Sequence, residues 1–358
     1  MKSVQAIPRV SFLLHVLLLC ATGLLCLNSA THQRGTELVM RQVWWVALGC
    51  LAFVAVARVD FHRWLEGAYA IYAVALVLLA AVLWVGRTTM GAARWIDIGA
   101  FSVQPSELAK LGTILTLARY LGDAGRSPRG LSWPQIIVAL SISAVPALLV
   151  FREPDLGSAT VFVVLALGVL WMAGMRPRQA IVLAAIAAAV SPLAWHLLKS
   201  YQRARLLVFM NPDMDPLGAG YTIIQSKIAI GSGGLAGKGW LAGTQNQLNF
   251  LPERHTDFIF SVLGEEWGFA GSVAVVALLA WLVWRGFEVA RRRQDRFGRL
   301  MAGGVAVALG YQAAVNIGMV SGIFPVVGVP LPFLSYGGSS LVTTFMAVGL
   351  LETVRRWN

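Results

Sequence analysis

Apolar residues run along this chain in blocks of about twenty, the length an α-helix needs to cross a bilayer, and short polar segments separate them. Ten blocks stand out, at about 10–30, 42–58, 64–85, 105–121, 134–151, 158–174, 179–198, 263–284, 300–322 and 338–354. They predict an all-α integral membrane protein of about ten transmembrane helices, organised as a single polytopic domain over residues 1–358. Two stretches break the pattern. Residues 199–262 are too polar to span and too long for a simple connector, so a large extracytoplasmic loop between the seventh and eighth helices is expected. Within it, Ile223 to Ile230 has helical apolar spacing and suits an amphipathic helix at the interface. Residues 322–340 hold Pro325, Pro330, Pro332, Gly337 and Gly338. Such backbone at membrane depth must line a cavity or be covered by protein.

Composition agrees: 57% of residues are hydrophobic and 13% charged, against about 25% charged in a soluble domain. Lys and Arg set the orientation. With the N-terminus in the cytoplasm, seventeen cations fall on inside segments and five on short outside loops, so both termini are expected in the cytoplasm. Lys2, Arg9 and the apolar stretch after them are read as the first spanning helix rather than a cleaved leader. The net charge of +12 is mostly this topogenic bias, and it helps hold anionic lipid at the inner leaflet. It is not a nucleic-acid signal. Eleven of the seventeen acidic residues lie on or near the outer face, which marks that face as the working one. Cys20, Cys26 and Cys50 sit inside spanning blocks and read as small buried hydrophobes. No His/Cys cluster resembles a metal site.

Charge at the edge of a membrane helix is costly and usually functional. The densest case is the segment from Phe250 to Phe260, with Glu253, Arg254, His255, Thr256 and Asp257. Thr256 or Asp257 could cap the eighth helix, and a partly desolvated Asp257 would also have the raised pKa of a useful base. For Glu265 and Glu266, two turns on, an interhelical hydrogen bond is the better reading. Glu107 and Lys110 are three apart on one helical face, as an ion pair or as substrate contacts. Pro105 suits the start of their helix, with Gln104 or Ser106 as cap. Asp155 stands in a tight corner, Arg152 to Gly157, where it could cap the next helix or serve the site. Arg203, Arg205, Lys227 and Lys238 give the long loop positive charge suited to a pyrophosphate. The Gly-rich run 231–239 fails the ATP-loop pattern, since Ser232 and Gly239 stand at two of its required positions. It reads equally as a phosphate cradle and as a plain turn. Asp213-Met214-Asp215, between two prolines, reads as a turn more than as a metal pair.

Several stretches together carry a family resemblance. They are Gly91-Ala92-Ala93-Arg94-Trp95-Ile96, the run Gln104 to Lys110, Pro154-Asp155-Leu156-Gly157, Tyr201-Gln202-Arg203, Asn211 through Gly234, His255-Thr256-Asp257-Phe258, Asn316-Ile317-Gly318 and Leu331 through Gly338. The chain resembles the shape, elongation, division and sporulation family of peptidoglycan polymerases end to end. Gly237 to Trp240 with Gly243-Thr244-Gln245 is closer to its elongation branch than to its division branch. One departure is Glu153, where the family has Gln. It sets an extra carboxylate beside Asp155, with Arg152 as an available partner.

The resemblance implies a glycosyltransferase that polymerises lipid II at the outer face of the inner membrane, with Asp257 as the essential acid. Glu107, Lys110, Asp155, Arg203, Arg205, Lys227, Lys238, His255 and Thr256 are then the expected substrate-binding residues. It also implies a class B penicillin-binding protein and other elongation-complex proteins as partners. A lipid-linked sugar pyrophosphate is already activated, so no cofactor is expected; a divalent cation, Mg or Mn, is an option at the leaving pyrophosphate. The rival reading is a lipid II flippase. It would need polar groups on both faces of its path, whereas the motif residues gather at one.

Overall fold

The computed structural model describes residues 12–89, 92–99, 101–124, 130–211, 214–215, 218 and 220–357. Lys2, Arg9, Gly91, Arg126, Arg129 and Asp213, with both prolines beside the D-x-D pair, lie outside them. Helices coincide with all ten apolar blocks: α1 Phe12–Thr31, α2 Glu37–Arg58, α3 Phe61–Val85, α4 Pro105–Asp123, α5 Trp133–Arg152, α6 Leu156–Ala173 and α7 Pro177–Leu197. After the long loop come α11 Ile259–Arg292, α12 Arg296–Val320 and α13 Gly338–Arg356. Asp60, Asp155 and Asp295 begin α3, α6 and α12, each accepting a backbone N–H from the first turn, the pairing that stabilises an exposed helix start.

Seven of these helices are long and apolar enough to cross a membrane by length and composition alone. Two of the other three, α4 and α13, carry Glu107, Lys110 and Glu352 among their residues, and these side chains are buried inside the bundle. They need less apolar surface because neighbouring helices, not lipid, enclose them. The third, α7, contains Pro192, and its apolar stretch is shorter, Pro177–Leu193. Its Ile181, Ile186, Val190 and Leu193 point outward, as lipid-facing side chains do. At the centre, α4 packs on α3, α5, α6 and α12, and α13 lies along α2.

Among the described residues the long loop holds three α-helices: α8 Ser200–Met210, α9 Tyr221–Ser232 and the short α10 Thr244–Gln247. The expected helix at Ile223–Ile230 is α9; it packs against α11 through buried Ile223, Ser226 and Ala229. A three-stranded antiparallel sheet also appears, with β1 Arg87–Thr89, β2 Ala92–Ile98 and β3 Phe101–Val103 in that order. A helical reading passed over it, although Trp95-Ile96-Asp97-Ile98 has strand character and the β2–β3 turn contains Gly99 at φ 62°.

The Gly-rich run 231–239 is neither a phosphate cradle nor an idle turn. α11 kinks at Gly268, where φ is 65°, and the run packs into the kink. The Lys238 and Gly239 amides donate to the carbonyls of Glu265 and Glu266, each at 3.0 Å, and the Phe269 amide donates to Gly234 O at 2.9 Å. A methyl group on Gly268 would come within 2.3 Å of Gly237 N, so glycine is required there. These amides fill the carbonyls a kink leaves open.

Candidate active site

Asp257 lies two residues before the start of α11, and the chain reaches it under close control. Three successive carbonyls are held by three separate donors. The Tyr336 amide donates to His255 O at 2.9 Å, Ser335 Oγ to Thr256 O at 2.7 Å, and Asn316 Nδ2 to Asp257 O at 3.0 Å. Asn316 is fully buried and also donates to Val329 O at 2.8 Å. One residue earlier in the motif, Arg254 is buried and donates to Ala30 O and Asn246 O, both at 2.7 Å. The irregular stretch after α12 lines a crevice with Pro325, Val326 and Val327, is buried from Leu331 to Ser335, and clamps the acidic segment through Ser335 and Tyr336.

The two capping expectations fail. α11 is preceded by Phe258 and has no side-chain cap. Thr256 Oγ1 turns back to Glu253 instead. The Asp257 carboxylate is therefore held in place through its backbone and spends nothing on a cap. It is half-buried, beside residues 325–329: a Cβ on Gly328, where φ is 70°, would lie 3.4 Å from Asp257 Oδ2. Burial raises its pKa to about 6; Glu253 and Asp155 push the same way, while Arg205 and Arg94 hold it down.

The two arginines line a crevice together with Pro154, Leu156, Tyr201 and Val326. Arg94 anchors its wall, donating to Pro154 O at 2.6 Å with Nε 3.7 Å from Asp155. Tyr201 Oη donates to the same Pro154 carbonyl at 2.9 Å. Asp155 accepts from the Ser158 amide at 3.1 Å and from its hydroxyl at 2.9 Å, so it caps α6 and also faces Arg94. Arg205 is exposed, stacked over Tyr201, with its Nη1 3.4 Å from Val326 O.

Other expected site residues are engaged elsewhere. Arg203 donates to Trp195 O and His196 O, closing the last turn of α7. Lys238 pairs with buried Glu265 at 2.8 Å and donates to Thr244. Glu265 also accepts the Gln245 and Asn246 amides, so it fastens the loop, while Glu266 accepts from Ser29 of α1 as an interhelical bond. Lys227 is exposed beside the Gly322 turn. Glu107 and Lys110 form an ion pair of 2.8 Å with both side chains almost wholly enclosed, and Thr343 donates to Glu107 at 3.3 Å. The α4 start has Gln104 in the capping position without a side-chain bond. Glu153 is not paired with Arg152: both its oxygens are buried without a hydrogen-bond partner. His255 stays by the Tyr336 ring, 6.1 Å between centroids.

Sequence reasoning passed over Arg94 as a site residue, although it stands inside a quoted motif, and also Tyr201, Asn316 and Ser335. Among the described residues no group of three or more His, Cys, Asp or Glu side chains could hold a metal.

A bundle of long apolar helices, with a connecting loop that brings one desolvated acid within the electrostatic reach of two arginines, defines a multi-pass membrane protein. The chain belongs to the FtsW/RodA/SpoVE family of cell cycle proteins, whose profile matches residues 7–358. It is 44% identical over 345 residues to peptidoglycan glycosyltransferase MrdB of Escherichia coli K12, covering 96% of this chain and 92% of that protein. It is 35% identical over 372 residues to stage V sporulation protein E of Bacillus subtilis, covering all of both. Among solved structures, it superposes on the rod shape determining protein RodA of Thermus thermophilus with a TM-score of 0.72 at 31% identity, over 96% of this chain and 95% of that one. A chain from a study of polymerization and crosslinking by a peptidoglycan synthase complex gives 0.84 at 37% identity, over 96% of each.

Proposed function

We propose that this chain is a peptidoglycan glycosyltransferase that joins lipid II units into glycan strands, with Asp257 as general base. The single observation that carries the base assignment is the Asp257 carboxylate, half-buried, fixed through its backbone, with a pKa of about 6 and two arginines nearby. At neutral pH such a group is mostly ionised and still basic enough to accept a proton.

The chemistry follows from the parts. The acceptor 4-hydroxyl gives its proton to Asp257 as its oxygen attacks the anomeric carbon of the donor. The new C1–O bond forms as the C1–O bond to the pyrophosphate breaks, and the electron pair leaves with the pyrophosphate. One displacement of an α-linked donor gives a β-linked product. Arg205 and Arg94 are the cations suited to the departing charge, worth most in a site shielded from water. Asp155 orients Arg94. Glu107 and Lys110 support the bundle, Arg203 and Lys238 act on the loop rather than on the pyrophosphate, and Lys227, exposed beside Gly322, is kept as a cation for the pyrophosphate. His255 and Thr256 set the backbone that carries the base.

Residues 1–358 act as one polytopic domain, with both termini in the cytoplasm and the crevice outward. A class B penicillin-binding protein is the expected partner for crosslinking. The glycosyltransferase names of the relatives support polymerisation over a flippase.

The test is purified protein given labelled lipid II, with and without a class B penicillin-binding protein, in Mg, in Mn and in chelator. Glycan strands are expected from wild type. Arg205→Ala should lower polymerisation about 10²-fold, the loss seen when one charge-stabilising donor is removed. Its acid-side pH limb should also move up, because Arg205 holds the Asp257 pKa down. Absence of strands under every condition rejects the function; an unmoved limb rejects the place of Arg205.

A further inference from the structure

The corner between α5 and α6 contains a carboxyl group that the mechanism does not use. Glu153 is 2% exposed, and neither of its oxygens has a hydrogen-bond partner. A buried carboxylate without donors is costly, whereas the neutral acid is far less so. The group sits two residues before Asp155, and its own carbonyl lies 3.4 Å from Arg94 Nε. Arg94 thus reaches the Glu153 and Pro154 carbonyls and the Asp155 carboxylate together. The charged groups facing Glu153 are Asp155 at the start of α6 and Arg94 on β2. Arg152 ends its own helix. From α8, Tyr201 and Arg205 line the same crevice.

We propose that Glu153 is a pH-sensitive positioning residue: the working protein keeps it as a neutral acid, and its ionisation draws Arg94 away from the Pro154–Asp155 turn and so dismantles the crevice wall. The inference rests on the glycosyltransferase reading for its rate effect, and on burial and geometry for its titration. Burial first, and then Asp155, raise the Glu153 pKa to about 8, with Arg94 opposing. The sign is fixed by that direction. A carboxyl whose pKa is raised on folding costs nothing below its unfolded value. It destabilises the fold progressively as pH rises toward and through about 8. Activity falls over the same upper range, on the side opposite to the Asp257 limb.

Two neutral replacements of similar length, Glu153→Gln and Glu153→Met, separate charge from shape. Wild-type polymerisation should fall about tenfold between pH 7 and pH 9 as the group ionises. Glu153→Gln should keep its neutral-pH rate and lose that fall, with the acid limb near pH 6 unchanged. Thermal unfolding without substrate reads the same group independently. Wild type should lose stability from pH 5 to pH 9 more steeply than either variant, whatever the reaction turns out to be. Superimposable alkaline limbs for wild type and Glu153→Gln overturn the positioning role, even where the unfolding profiles differ. Superimposable unfolding profiles overturn the titration itself. Should Glu153→Gln not accumulate, Glu153→Met carries both comparisons.

Discussion

Asp257→Asn is expected to abolish glycan synthesis, a loss of at least the roughly 10²–10⁴-fold that a positioned base contributes, while the protein still inserts and folds. The fold does not need the carboxylate. The segment is held by its carbonyls, through Tyr336, Ser335 and Asn316, and an asparagine at this position would keep those bonds. The linkage sign points the same way. Folding raises the Asp257 pKa to about 6, so ionising the group costs stability from its unfolded value upward, with the full cost present above about 6. Asparagine removes the cost, and the variant's unfolding temperature at pH 7.5 should equal or exceed that of wild type. Wild-type polymerisation should rise with pH through about 6 as the base ionises. Glycan strands from a folded Asp257→Asn protein, counted by gel after labelled lipid II is supplied, would remove Asp257 from the mechanism.

The second large effect falls on stability. Glu107 and Lys110 pair at 2.8 Å with side chains 4% and 8% exposed. Removing one partner leaves the other charge buried and uncompensated, at a cost of roughly 3–5 kcal/mol. Lys110→Met and Glu107→Leu should each therefore depress the unfolding temperature and the yield of inserted protein sharply. The double variant Glu107→Leu/Lys110→Met should recover most of that stability, since an apolar pair of similar volume can replace a buried ion pair. Polymerisation measured on the recovered double variant then separates the two readings of this site. Recovered activity makes the pair purely structural; a stable but inactive double variant gives Lys110 a direct part in binding substrate. Equal instability of single and double variants would contradict the pairing account.

Much of the architecture was legible because lipid imposes one strong constraint. Every backbone group in an apolar block must be satisfied internally, so each of the ten blocks had to be a helix. Buried α4 and α13 were still found, since their charges are few and gather toward the helix ends, leaving an uncharged stretch between. The β2–β3 hairpin was not, because a three-residue strand such as Phe101–Val103 has no period of its own. At the site, chain-local chemistry could be read and distant pairing could not. Asp257 and its acidic neighbours announce themselves by cost. The donors that hold it, Asn316 and Ser335, are 59 and 79 residues from their partners; neither polar residue alone signals what it will meet. The same blindness assigned Lys238 to a pyrophosphate: its partner Glu265 lies 27 residues on, and nothing in the Gly-rich run shows that a helix kink will take up its amides. Glu153 was visible as an extra carboxylate, but whether Arg152 would turn toward it depends on the corner's geometry.

The central claim is that this chain performs chemistry at an outward site rather than moving substrate across the bilayer. Reconstituted vesicles with lipid II confined to the leaflet that faces the crevice test it most directly. Wild type should make glycan strands there without any translocation, and Asp257→Asn should make none in the same vesicles. Rapid Asp257-dependent movement of labelled lipid II between leaflets, with no strand formed even beside a class B penicillin-binding protein, would contradict the account.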